Sequence, residues 1–145
     1  MVKAVKSAPG STRVMKPVDL SRLLGALADH TRLRLLNLMH GREVCVCYFV
    51  EILKQSQPKI SRHLAYLRRA GIVSARRQGK WMHYRIDWPS DARAAAILDA
   101  VIQSLRANRE MQADLARLSH ACCAPGRFLR LQGTPAPIAV DSVNR

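Results

Sequence analysis

Leu20, Leu23, Leu24 and Leu27 fall at i, i+3, i+4 and i+7, the spacing that lines one face of an α-helix. Asp19 precedes them, where its carboxylate can accept from the free N–H groups of a first turn. Asp29 can cap a second helix, in which Leu35, Leu36 and Met39 continue an apolar stripe, and Gly41 supplies its stop. A short third helix is predicted across Cys47–Leu53. Ser56 then caps a fourth, with Pro58 in its first turn, where a missing N–H does no harm. Ile60, Leu64 and Leu67 make the buried face of this fourth helix, and Gly71 ends it.

After Gly71 the apolar period changes from helical to alternating. Ile72–Arg77 and Trp81–Ile86 read as two strands around Gln78-Gly79-Lys80, with Met82, Tyr84 and Ile86 on one face and Trp81, His83 and Arg85 on the other. Two helices joined by a short turn, followed by a β-hairpin, predict a winged helix-turn-helix, a mainly α fold with a β-hairpin wing. Ser90 or Asp91 can start a fifth helix. Its stripe of Ala94, Leu98, Val101 and Leu105 has the form a helix presents to a partner helix, and predicts a dimer joined through terminal helices. Met111, Leu115 and Leu118 extend the pattern, in the same helix or after a break near Asn108. The expected organisation is a disordered basic arm at 1–16, a DNA-binding and dimerisation domain at 17–120, and a flexible Cys-containing tail at 121–145.

Charge sharpens this picture. The chain of 145 residues carries a formal net charge of +14, which favours a polyanionic partner through release of condensed counterions. The segment Lys54–Ile86, which spans the fourth helix and the hairpin, contains nine Lys and Arg and no Asp or Glu. The apolar runs are too short to span a bilayer and the N-terminus lacks a secretory signal, so a cytoplasmic protein without a membrane partner is expected.

Burying Ile60, Leu64 and Leu67 exposes the other face of the fourth helix. A helix in the major groove reads bases with its N-terminal turns. Gln57 suits adenine, Arg62 suits guanine, and Lys59 suits guanine or a phosphate. Ser56 and Ser61 suit phosphates, and Pro58 and His63 complete the expected surface, although His63 alone reads better as a packing residue. Arg76, Arg77 and Lys80 on the hairpin would add affinity along the backbone. With two-fold symmetry the target is an inverted repeat in double-stranded DNA.

The cysteines suggest a second chemistry. Cys45 and Cys47 stand at the start of the third helix, and Cys122 and Cys123 are adjacent. In a cytosolic protein such pairs suit metal binding better than disulfides. On a regular helix, residues two apart point about 200° from one another, so Cys45 and Cys47 could share an ion only in extended or unwound backbone. Ion binding should then distort the helix that braces the DNA reader. A helix N-terminus in a basic protein should also lower the thiol pKa. Spacing alone fits arsenite, antimonite, zinc, cadmium, copper(I) or an oxidant.

The motifs LADHTRLRLLNLM, EVCVCYFVEIL, SQPKISRHLAYLRRAGIV and RRQGKWMHYRI, within Val18–Leu105, resemble the ArsR/SmtB metalloregulatory repressors. The third motif looks like the family's recognition helix and the last like its wing. The resemblance implies a homodimer that represses an operon until an inducer releases it. The Cys-Val-Cys sequence looks like the arsenic-responsive branch, which makes Cys45 and Cys47 ligands of As(III) or Sb(III), with no organic cofactor. Tyr48 replaces the acidic residue that usually follows the motif, and Val50 stands where some members have a third Cys. Trivalent arsenic prefers three sulfurs, so Cys122 or Cys123 becomes the candidate third ligand, the alternative being a second site formed by Cys122 and Cys123 themselves. The alternatives are a thiol-redox or cadmium/zinc-responsive repressor of the same fold, and a thiol-rich metal carrier or adaptor that binds no DNA. No enzyme is expected: the histidines form no recognisable acid–base or nucleophile arrangement with the cysteines.

Overall fold

A computed structural model describes residues 19–140; the expected basic arm at 1–16 and the final residues 141–145 lie outside the described part. The two capping aspartates take their predicted places. Asp19 accepts from the Arg22 N–H at 3.1 Å and starts α1 (Leu20–Leu27), and Asp29 accepts from the Arg32 N–H at 2.9 Å and starts α2 (His30–Met39). Each such cap is worth about 1 kcal/mol. Gly41, at φ +74°, turns the chain into β1 (Arg42–Cys45). Then follow α3 (Val46–Leu53) and α4 (Gln57–Arg69). Ser56 stands at the start of α4 as expected, but its side chain makes no capping hydrogen bond.

The hairpin pairs β2 (Val73–Gln78) with β3 (Trp81–Ile86), and Gln78 faces Trp81 across a two-residue turn of Gly79 and Lys80. The turn is therefore one residue shorter than predicted. Gly79 holds φ +58°, as such tight turns require. With a short fourth strand, β4 (Ile138–Ala139), the sheet has the order β2-β3-β1-β4, all antiparallel. β1 escaped the sequence reading because a four-residue strand is too short to show a period, and its Glu43 is buried rather than facing water.

α5 (Ala92–Leu105) and α6 (Arg109–Cys123) are separate helices, broken where Asn108 caps the second. Of the α5 stripe, Ala94, Leu98 and Leu105 are buried within this one chain, while Val101 is half-buried. α6 lies against α2 and α3. It is fastened by Asp114, fully buried, which accepts from Arg34 Nε at 2.7 Å and Nη2 at 2.9 Å and also pairs with Arg117. Asn37 Nδ2 donates to the Met111 carbonyl at 3.0 Å beside it. Removing one member of a buried pair of this kind costs about 3–5 kcal/mol, so α6 is an integral layer.

The flexible tail expected from Ala121 is not found up to Val140. Cys122 and Cys123 close α6, two short 3-10 turns (Pro125–Arg127 and Leu129–Leu131) follow, Leu131 is fully buried, and β4 (Ile138–Ala139) pairs with β1. Apolar burial by Ala121 and Leu131 outweighs the local preference of the surrounding Gly and Pro for loops. Among the described residues no helix is long and apolar enough to cross a membrane.

Candidate nucleic-acid interface and thiol pair

α3 and α4 meet through a three-residue turn that begins at Lys54. This residue holds the left-handed conformation, φ 54°, and its Nζ lies 2.7 Å from Glu51 Oε1. Ile60, Leu64 and Leu67 seat α4 on the core. That leaves Ser56, Gln57, Pro58, Lys59 and Arg62 exposed on one surface, with Ser61 half-buried at its margin. His63 turns away from it. Its Nδ1 lies 3.6 Å from Asp29 and 3.5 Å from Arg32 Nη1, so it braces α4 against the start of α2. Arg32 does similar work: it donates to the carbonyls of Ala26 at 2.8 Å and Gly25 at 3.0 Å, and its guanidinium lies 4.1 Å above the Tyr66 ring. Sequence reasoning missed Arg32, because its partners are set by how α2 and α4 cross.

The three basic residues of the wing occupy different surroundings. Lys80 rests over the Trp81 ring and Arg77 donates to the Gly79 carbonyl, both exposed at the tip. Arg76 is lower on the hairpin. Its Nε and Nη2 both donate to Glu43 Oε1 of β1, at 3.0 and 2.6 Å.

The thiols converge by a route other than helix distortion. Cys45 is both the last residue of β1 and the N-cap of α3, with extended backbone at φ −69° and ψ 142°. The step from strand to helix between Cys45 and Cys47 removes the helical divergence of their side chains, so α3 need not unwind for them to meet. The expected lowering of the thiol pKa is also reversed at Cys45. Burial pushes that thiol up to about 11, and the Cys47 thiol beside it adds to the rise, while the backbone N–H groups of Cys47 and Met82 oppose it. The end of a helix offers partial charge, but a fully buried sulfur loses more by giving up water.

Cys122 packs in from α6. Its thiol is held above the ordinary range by burial, with Arg42 of β1 pulling the other way. The phenol of buried Tyr48 is raised chiefly by burial and then by the thiols of Cys122, Cys45 and Cys47, so one ring feels all three sulfurs. Cys123, by contrast, is exposed. Among the described residues no three Cys, His, Asp or Glu side chains are gathered closely enough to hold a metal ion. The arrangement as it stands is a thiol pair, Cys45 buried and Cys47 half-buried, with half-buried Cys122 on the helix packed against α3.

Residues 29–75, from the N-cap of α2 into β2, match the model of the bacterial regulatory proteins of the arsR family. The chain is 43% identical over 110 residues to the arsenical resistance operon repressor of Escherichia coli K12, covering 74% of this chain and 89% of that protein. It belongs to the arsR family. It is also 41% identical over 105 residues to the arsenic resistance transcriptional regulator ArsR1 of Pseudomonas putida KT2440, covering 67% of this chain and 79% of that one. Among solved structures, HlyU of Vibrio cholerae N16961 superposes with a TM-score of 0.50 at 30% identity, covering 58% of this chain and 88% of HlyU. This arsR-family protein is therefore a winged helix-turn-helix, DNA-binding transcriptional repressor, not an enzyme. The incomplete match to HlyU leaves much of this chain without a counterpart there.

Proposed function

We propose that this arsR-family repressor binds, as a homodimer, an inverted repeat in the operator of a metalloid-resistance operon, and that trivalent arsenic or antimony releases it by bonding to Cys45 and Cys47. Gln57, Lys59 and Arg62 read base edges, and Ser56, Ser61, Arg77 and Lys80 hold phosphates. The observation that carries the reading is the convergence of two thiols at the β1–α3 junction, on the helix that braces the reading helix. Cys122 supplies the third sulfur after a movement of the last turn of α6, the helix that packs against α3. Cys123 stays outside the site.

The protonation of the buried thiol favours a neutral oxyacid over a divalent cation. Arsenite at neutral pH is As(OH)3. When it meets a thiol, an As–S bond forms, an As–OH bond breaks, and the thiol proton leaves with the hydroxide as water. Arsenic stays trivalent and no free proton is released. A cadmium or zinc ion must instead expel the protons, which is costly for a thiol with pKa about 11. Arsenite affinity of the reduced full chain should therefore be nearly constant between about pH 6 and 8, whereas cadmium affinity should rise by about tenfold per pH unit for each proton displaced. Isothermal titration in buffers of different ionisation enthalpy measures both. Weak, steeply pH-dependent arsenite binding beside tight, pH-insensitive cadmium binding would reverse the assignment.

A further inference from the structure

The sheet connects the thiol pair to the wing. Cys45 stands opposite His83 of β3, and His83 stands opposite Arg76 of β2, so these three residues form one row across the strands. Residues two apart on a strand share a face, so Glu43 and Cys45 project from the same side of β1. Glu43 is buried, and its Oε1 accepts both Arg76 bonds. His83 is 1% exposed and its Nε2 has no hydrogen-bond partner, so it fills the row by contact and leaves Arg76 to Glu43. A buried carboxylate cannot leave its guanidinium without a desolvation penalty, so a shift of β1 must carry Arg76 with it.

We infer that the Glu43–Arg76 pair is the link through which occupation of the thiol pair reaches the wing, and that Arg76 is a positioning residue whose charge is spent on Glu43 rather than on a phosphate. The coupling half of this inference rests on the thiol reading above; the charge half does not. Any displacement at Cys45 moves the strand that holds Glu43, and Glu43 moves β2. Arg77 and Lys80, at the hairpin tip, are thereby reoriented against the DNA backbone.

The test uses the reduced full-length protein and its promoter duplex. Without inducer, operator affinity is followed against salt concentration for wild type, Arg76→Gln, Arg77→Gln and Glu43→Gln. Each phosphate contact contributes about 0.9 to the slope of log affinity against log salt. Arg76→Gln should leave the slope unchanged and Arg77→Gln should reduce it by about 1.8, one contact from each protomer of the dimer; Glu43→Gln, by freeing Arg76 in both protomers, should steepen it by about 1.8. Arsenite is then added, its uptake followed by the near-ultraviolet absorbance of As–S bonds. Glu43→Gln should take up arsenite as wild type does, while the factor by which arsenite weakens operator binding falls by about fivefold or more. A slope lowered by Arg76→Gln as much as by Arg77→Gln would overturn the charge assignment. Full operator release from arsenite-loaded Glu43→Gln would overturn the coupling. If wild type itself takes up no arsenite, the thiol reading fails, and the salt slopes still decide the role of Arg76. Should Glu43→Gln not fold, Arg76→Gln carries both arms, because it cuts the same link from the exposed end.

Discussion

Arg62 and His63 are neighbours on α4 with opposite tasks. Arg62 is exposed on the face we propose to read DNA, whereas His63 faces Asp29 and Arg32 behind it. Arg62→Ala should weaken specific operator binding by about 1–3 kcal/mol with an unchanged melting temperature. His63→Ala should do the reverse and lower stability. The pH dependence follows from the His63 environment. Burial lowers its pKa below 6.5, with the charges of Arg32, Lys59 and Arg62 helping and Asp29 opposing. The unfolded chain therefore binds a proton more readily, so this contribution to stability is intact above 6.5 and is lost as pH falls through the lower folded value. Thermal unfolding against pH should show a smaller acid loss in His63→Ala than in wild type. A mutant with equal acid loss and weakened DNA binding would move His63 onto the reading surface. The exposed residues of α4 were legible in the sequence because helical period fixes which face is free. The partner of His63 was not, since Asp29 reaches it only once α2 and α4 have crossed.

Elements were legible where they were long and periodic or carried a cap. α1, α2, α4 and both wing strands lie within a residue or so of their predicted bounds, while β1 and β4 were too short to leave a period. In α5 the periodicity marks a face as apolar without saying what covers it. Ala94, Leu98 and Leu105 are buried in the chain's own packing and Val101 is half-buried, so the dimer we propose through the terminal helices draws on a further apolar surface beside α5. α1 offers one. Leu23, Ala26 and Leu27 face the core, but Leu20 and Leu24 remain 51% and 49% exposed on a helix that packs against α5. Leu24→Glu should yield a monomer in sedimentation equilibrium at concentrations where wild type is dimeric, with weaker operator binding and a retained fold. An unchanged dimer would place the interface elsewhere.

At the scale of the whole molecule, the reader, the thiol pair and the wing share one core. β1 borders the wing strands on one side and β4 on the other, and it ends on Cys45. α3 leaves from that same residue and leads into the reading helix. α6 and the segment after it close over α3, which packs Cys122 against the core instead of leaving it on a loose tail. The sequence showed both thiol pairs and the exposed face of α4, but it could not show that strand-to-helix geometry brings Cys45 and Cys47 together, or that Glu43 holds Arg76. Both depend on a strand that no local pattern announces. Operator binding by wild type and Cys45→Ser, followed by fluorescence anisotropy as arsenite is added, tests the central claim most directly. Wild type should leave the operator in step with arsenite uptake, and Cys45→Ser should bind the operator normally and stay bound. Equal release of both proteins would show that the Cys45–Cys47 thiol pair is not the switch.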